Sequence, residues 1–165
     1  MIPLPKPGKK AGLPGNLRPR ILLSILRKIL EICMLRRSLE KLLKIIPKSQ
    51  TCYQGGRSTT ELVFAFKLLA EKAITSKDYK IIFLLLDMSK AFDTVRRVDL
   101  LVILKDTLEK DELNMMKNLV ENVKLRVRIG KSLGKEINTN IGIPQGDCLS
   151  LILFVLYLAE ALKPT

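Results

Sequence analysis

The chain has 165 residues, 47% of them apolar, with 29 Lys and Arg against 16 Asp and Glu for a formal charge of +13. That is enough for one domain with a real core, and the apolar content is that of a globular chain, not a disordered one. The absence of histidine and the wide spacing of Cys33, Cys52 and Cys148 exclude self-contained Ser-His, Cys-His or His-ligated zinc chemistry and a disulfide framework, and point to an intracellular, reducing location, nuclear or cytoplasmic.

The charge is uneven. Residues 1–50 hold twelve Lys and Arg against two Glu, so the basic excess is mainly N-terminal and favours phosphate backbones or anionic membrane surfaces, the alternative being the solvated face of a basic helix. Residues 1–19 contain five of the eight prolines and three glycines, which predicts extended or turning chain carrying Lys6, Lys9, Lys10 and Arg18. Residues 21–46 read as one long helix whose apolar stripe runs through Leu22, Ile25, Leu26, Ile29, Ile32, Cys33, Leu39, Leu42, Leu43 and Ile46, ended by Pro47. This segment carries eight charges, the later apolar run 148–159 is about a dozen residues, and neither is a membrane span. The opening MIPLPKPGKK has no apolar stretch of signal-peptide length.

A loop follows at 50–57, QTCYQGGR, then a helix to about residue 75 capped by Ser58 or Thr59, with Glu61 spaced for a capping box and Leu62, Phe66, Leu69 and Ala73 facing inward. Residues 80–87, KIIFLLLD, form a short continuous apolar run that predicts a strand buried on both faces. Asp87 stands where this strand runs out, a position suited either to holding a metal ion or to capping the next turn. Helices are expected over 97–109 and 111–121. In 123–130, VKLRVRIG, apolar residues alternate with Lys124, Arg126 and Arg128, which predicts a half-exposed strand with a basic outer face, returned by a turn at 130–134 to a partner near 135–140. The loop IGIPQGD and an apolar helix over 148–162 close the chain. Helices, one central strand and a hairpin in this order make an α+β fold with helices packed on an antiparallel sheet, not the alternation of a doubly wound fold.

Four stretches resemble the reverse transcriptases of non-LTR, LINE-like retrotransposons: IPLPKPGKK with NLRP and LLSILRKILE; YQGGRSTTELVF; FLLLDMSKAFDTV; and NIGIPQGDCLS with LILFVLYL. The third and fourth, about fifty residues apart, carry the most specific part of the likeness. The resemblance implies a polymerase fingers–palm fragment without a thumb, 1–79 mainly fingers and 80–165 mainly palm. It implies RNA-templated DNA synthesis on a DNA primer with deoxynucleoside triphosphates and Mg²⁺. Asp87 is implied as the catalytic carboxylate on both metal ions, with the Met88 carbonyl beside it. Phe92 is implied under the nucleotide sugar, Gln145 and Gly146 against the nucleotide and template pair, and Lys6 and Arg18 on the triphosphate, with Lys9 or Lys10 able to stand in for Lys6. Asp93 and Asp147 are read as caps.

The sequence departs from the family pattern. Arg20 and Leu151 stand where the family has an apolar residue and a proline, and the QGGR loop is shorter. No Asp-Asp pair occurs in residues 1–165. Two Mg²⁺ ions need more than one carboxylate, and a loss of roughly 4–7 kcal/mol slows the reaction about 10³–10⁵-fold, so this chain alone is expected to be inactive, a truncated copy. The competing readings are a basic nucleic-acid-binding remnant and a helical interaction protein. A complementing chain is a further expectation with no signal for it in the sequence.

Overall fold

The computed structural model describes residues 1–10, 12–52, 55–76, 80–121 and 123–163. Tyr53 and Gln54 of the QTCYQGGR stretch lie outside them. The chain divides into two compact units, one of Met1–Ile46 with Lys90–Thr165 and one of Pro47–Ser89.

In the first unit, Ser24 starts helix α1 (Ile25–Leu43) by accepting the Arg27 amide on its Oγ at 3.3 Å. The expected helix is there over 25–43 rather than 21–46, and its first half buries a different face. Leu22, Ile25, Leu26, Ile29, Ile32 and Cys33 are exposed, Leu26 to 81%, while Glu31, Met34, Ser38 and Leu42 are buried. Those four are spaced three and four apart, so they share one side of the helix. A helix with apolar residues on two sides buries whichever side its neighbours reach, and here the neighbours are α4 (Lys110–Val120) and α5 (Leu149–Ala161).

Helix α5 is apolar almost all round and lies at the centre of the core, with Leu149, Ile152, Leu153, Val155 and Leu156 buried. Leu100 and Leu104 of α3 (Arg97–Lys105), Met116 of α4 and Leu42 of α1 pack around it. Each such leucine contributes about 1.5–3 kcal/mol by leaving water. Helix α3 stops four residues short of expectation, and in the turn that follows the Thr107 and Leu108 amides both bond the Leu104 carbonyl. A reciprocal capping box between Glu109 and Glu112 then starts α4. Glu112 also binds Arg37 and Lys41, which ties α4 to α1.

Two hairpins complete this unit. Strands β1 (Ile2–Pro5) and β2 (Leu17–Arg20) pair antiparallel with Leu4 opposite Arg18. Strands β3 (Val123–Ile129) and β4 (Ser132–Thr139) pair antiparallel with Arg126 opposite Glu136 and a register shift beyond it. The turn is tighter than expected, because Gly130 takes a left-handed conformation (φ 59°) and Gly134 lies inside β4. The alternation of β3 fades toward the tip, from buried Val123 to exposed Ile129. Its basic face is partly neutralised, since Glu136 pairs with both Lys124 and Arg126. The hairpins meet at Met1, whose amino group donates to the Arg126 carbonyl at 2.7 Å and whose carbonyl accepts the Arg128 amide at 2.9 Å. The class is mixed α+β, but the described strands form two two-stranded sheets, not one.

In the second unit, Ser58 caps α2 (Thr59–Thr75), accepting the Glu61 amide at 3.3 Å. Glu61 turns to Arg57 instead of completing the box. Leu62, Phe66 and Leu69 are exposed, and no residue of α2 is buried. The buried strand expected at 80–87 is not formed. Its backbone has no ladder partner, and Leu85 is 85% exposed. A strand is defined by its pairing, and the described strands all pair within the two hairpins of the other unit. The Phe83 ring lies against that of Phe66, 3.9 Å between centroids.

Candidate active site

The segment between β4 and α5 holds the Pro-Gln-Gly motif, and both of its ends are fastened. At the α5 end, Asp147 Oδ1 accepts the Ser150 amide, the capping role read from sequence. Asp147 is largely out of water, and burial pushes its carboxyl above the ordinary 3.8 against the pull of the Ser150 hydrogen bonds. At the other end, the Gly142 amide donates to the Val95 carbonyl at 2.8 Å and the Ile143 amide to the Phe92 carbonyl at 2.9 Å. The loop thus lies along the short 3₁₀ turn Ala91–Thr94, which Lys90 enters in a left-handed conformation (φ 56°).

Glycine is required twice here. A Cβ on Gly142 (φ +80°) would stand 2.9 Å from the Asp93 carbonyl oxygen, and one on Gly146 (φ +121°) would stand 3.0 Å from the Ile21 carbonyl oxygen. Ile21 also donates its amide to the Gln145 carbonyl at 2.9 Å, so the chain leaving β2 is hydrogen-bonded to the motif. Pro19, Ile21, Asp93, Arg97, Ile143 and Gln145 are among the residues around a cavity of about 90 Å³ beneath this junction.

The expected site residues fall into three groups. Phe92 is bonded through its carbonyl to Ile143, two residues before Gln145, while Gln145 and Gly146 lie against Ile21. Phe92 is half-buried, its ring 4.8 Å from that of Phe154. Lys6 and Arg18 sit on the β1–β2 hairpin. The Lys6 ammonium donates to the Gly15 carbonyl at 2.9 Å, whereas exposed Arg18 has no side-chain partner among the described residues. Asp87 and Met88 belong to the second unit, both exposed, and the Asp87 carboxylate has no partner among the described residues. No three metal-ligating side chains converge among the described residues. A free carboxylate still fits Mg²⁺, which takes one or two carboxylates together with substrate phosphates. Asp93 does not cap: its carboxylate makes no hydrogen bond among the described residues, and its backbone crowds Gly142 instead.

Two further residues shape this region and carry no sequence signal. Arg97 is 6% exposed and donates through Nε to the Gly142 carbonyl (2.7 Å), through Nη1 to the Thr139 carbonyl, and through Nη2 to Thr139 Oγ1 (2.8 Å) and the Ile141 carbonyl (3.2 Å). Burial draws its guanidinium below the usual arginine value, opposed by the charge of Glu121. Glu31 is fully buried in α1, with Oε1 accepting from Arg27 Nε at 2.8 Å and Oε2 without a partner among the described residues. Burial raises its carboxyl above the ordinary 4.5, and the charge of Asp147 adds to this. Both look like ordinary charged positions in sequence, because which charges fall inside depends on the packing of distant segments.

Residues 4–165 match the family model described as reverse transcriptase (RNA-dependent DNA polymerase). The chain is similar to the probable RNA-directed DNA polymerase from transposon X-element of Drosophila melanogaster, 30% identical over 161 residues, which is 96% of this chain and 18% of that protein. It is also similar to the probable RNA-directed DNA polymerase from transposon BS of the same species, 29% identical over 158 residues, 94% of this chain and 17% of that protein. The chain therefore spans less than a fifth of the length of these curated relatives.

Proposed function

The chain belongs to the reverse transcriptase (RNA-dependent DNA polymerase) family, and on that premise we propose that it supplies the nucleotide-binding portion of an RNA-templated, DNA-primed DNA polymerase. Residues 1–79 act mainly as fingers and 80–165 mainly as palm. The observation that carries this reading is the match over 4–165, which includes both DMSKAFD and GIPQGDCLS.

The free Asp87 carboxylate and the Met88 carbonyl hold Mg²⁺ together with the triphosphate. Bound there, Mg²⁺ supplies charge stabilisation at the phosphate under attack. Phe92 bounds the sugar, Gln145 and Gly146 contact the nucleotide and its template partner, and Arg18 reaches the triphosphate as a charge-assisted donor. Lys6 spends one of its three ammonium donors on the Gly15 carbonyl and keeps the others for a phosphate oxygen beside Arg18. Residues 1–165 contain no Asp-Asp pair, so the function proposed for this stretch is nucleotide binding. No helix of the described residues is long and apolar enough to cross a membrane. An intracellular location, with exposed Cys33 and Cys52 as free thiols, belongs to the same proposal.

The test is equilibrium binding of a deoxynucleoside triphosphate with and without Mg²⁺. Binding should require Mg²⁺ and weaken about tenfold or more in Asp87→Asn. Mg²⁺-independent binding, or none at millimolar nucleotide, would overturn the reading.

A further inference from the structure

We propose that Arg97 is a positioning residue that holds the Pro-Gln-Gly loop in register with the Phe92 turn. The inference rests on the polymerase reading above and adds to it a residue that touches neither metal nor nucleotide.

The guanidinium makes four hydrogen bonds to one short stretch of chain, reaching the carbonyls of Thr139, Ile141 and Gly142 and the Thr139 hydroxyl. Arginine has five N–H donors in a fixed plane, so four of them are used on a single segment. That segment leads directly into Pro144, Gln145 and Gly146. Arg97 itself opens α3, five residues after Phe92. Together with the backbone bonds from Gly142 to Val95 and from Ile143 to Phe92, it ties residues 92–97 to residues 139–143 along their whole length.

Energetics separate this role from simple packing. A buried cation is costly to desolvate, and no carboxylate forms an ion pair with Arg97 among the described residues. An apolar side chain of similar size would fill the same space at lower cost. What such a side chain cannot supply is direction. The planar fork fixes three carbonyls relative to one another, which sets where Gln145 leaves the segment and meets the Ile21 amide. Lysine presents a compact ammonium with three donors and cannot match four acceptors spread around that plane.

The experiment compares the wild-type chain with Arg97→Lys, Arg97→Gln and Thr139→Val, the last removing one acceptor of the fork together with the bond that the Thr139 hydroxyl donates to the Val123 carbonyl. Two quantities are read: amide hydrogen exchange at Gly142 and Ile143 against Met116 and Leu119 of α4, and Mg²⁺-dependent nucleotide affinity. In Arg97→Lys the loop amides should exchange about tenfold faster while α4 keeps its protection, and affinity should fall about five- to tenfold. Thr139→Val should shift both in the same direction by about threefold. If Arg97→Gln fails to fold, the other two variants decide.

Unaltered loop exchange, or loosening of loop and α4 by the same factor, would overturn the proposal. If the wild-type chain binds nucleotide and every Arg97 variant binds equally well, positioning fails and the polymerase reading stands. If the wild-type chain binds none, that reading fails, and loop exchange alone decides whether Arg97 positions the segment.

Discussion

The carbonyl oxygen of Asp93 occupies the space beside Gly142, 2.9 Å from where a Cβ on that glycine would lie. This contact lets the chain leaving β4 run against the 3₁₀ turn that carries Phe92. Gly142→Ala must both hold a left-handed backbone and displace a carbonyl that belongs to the main chain. We expect a loss of about 2–4 kcal/mol. Gly130→Ala is the control, since Gly130 is also left-handed (φ +59°) but a Cβ there meets nothing within 4 Å. It should cost only about 1 kcal/mol. Thermal midpoints should therefore separate the two variants by roughly 5–10 °C. Equal midpoints would mean that the close approach to Asp93 is not held in solution.

Glu31 gives the chain an uncommon pH response. Its carboxyl is raised above 4.5 by burial, so over the range just above that value the folded state holds a proton that the unfolded state has released. The stabilisation is complete below 4.5 and is lost as pH rises through the folded-state value. Glu31→Gln keeps an acceptor for Arg27 Nε and removes the titration. Urea midpoints of the two proteins should be close near pH 4 and diverge as pH rises to 7, with the variant the more stable. A gap that does not change with pH would place the effect in packing.

Glu112 responds in the opposite direction. It is 1% exposed and accepts from Arg37, Lys41 and the Glu109 amide. Burial would raise its carboxyl, but the Lys41 and Glu109 hydrogen bonds outweigh this and hold it below the ordinary 4.5. Its stabilisation is present above that value and is lost as pH falls through the lower folded-state value. At pH 7, Glu112→Ala should cost about 2–3 kcal/mol. That is less than for a fully buried pair, because Arg37 and Lys41 keep 55% and 33% of their surface in water and can be rehydrated. Denaturant unfolding at pH 7 and pH 3 checks this: the gap to wild type should narrow at pH 3, and a constant gap would show that charge is not the cause.

Much of the candidate site was legible in the sequence. The Pro-Gln-Gly motif, the Asp147 cap and the helix after it depend on neighbours only a few positions away. So do the Ser58 cap, the ends of α2 and the alternation that makes β3. Local steric and hydrogen-bonding rules act at that range, and they operate before any tertiary contact forms.

Other features needed partners that are distant in sequence. The run 80–87 has a strand's composition, but a strand exists only when another backbone pairs with it, and no described residues do so. Helix α1 has two apolar sides, and contact with α4 and α5 decided which was buried, putting Glu31 inside and Leu26 outside. Arg97 reads in sequence as one surface charge among 29 cations; only the return of residues 139–142 past the start of α3 makes it a buried fork. Periodicity and turn chemistry determined the helices and the β3–β4 hairpin of this protein, whereas the pairing of 80–87, the choice of buried face and of inward charge followed from long-range packing, because each depends on a free energy shared between segments that the linear order keeps apart.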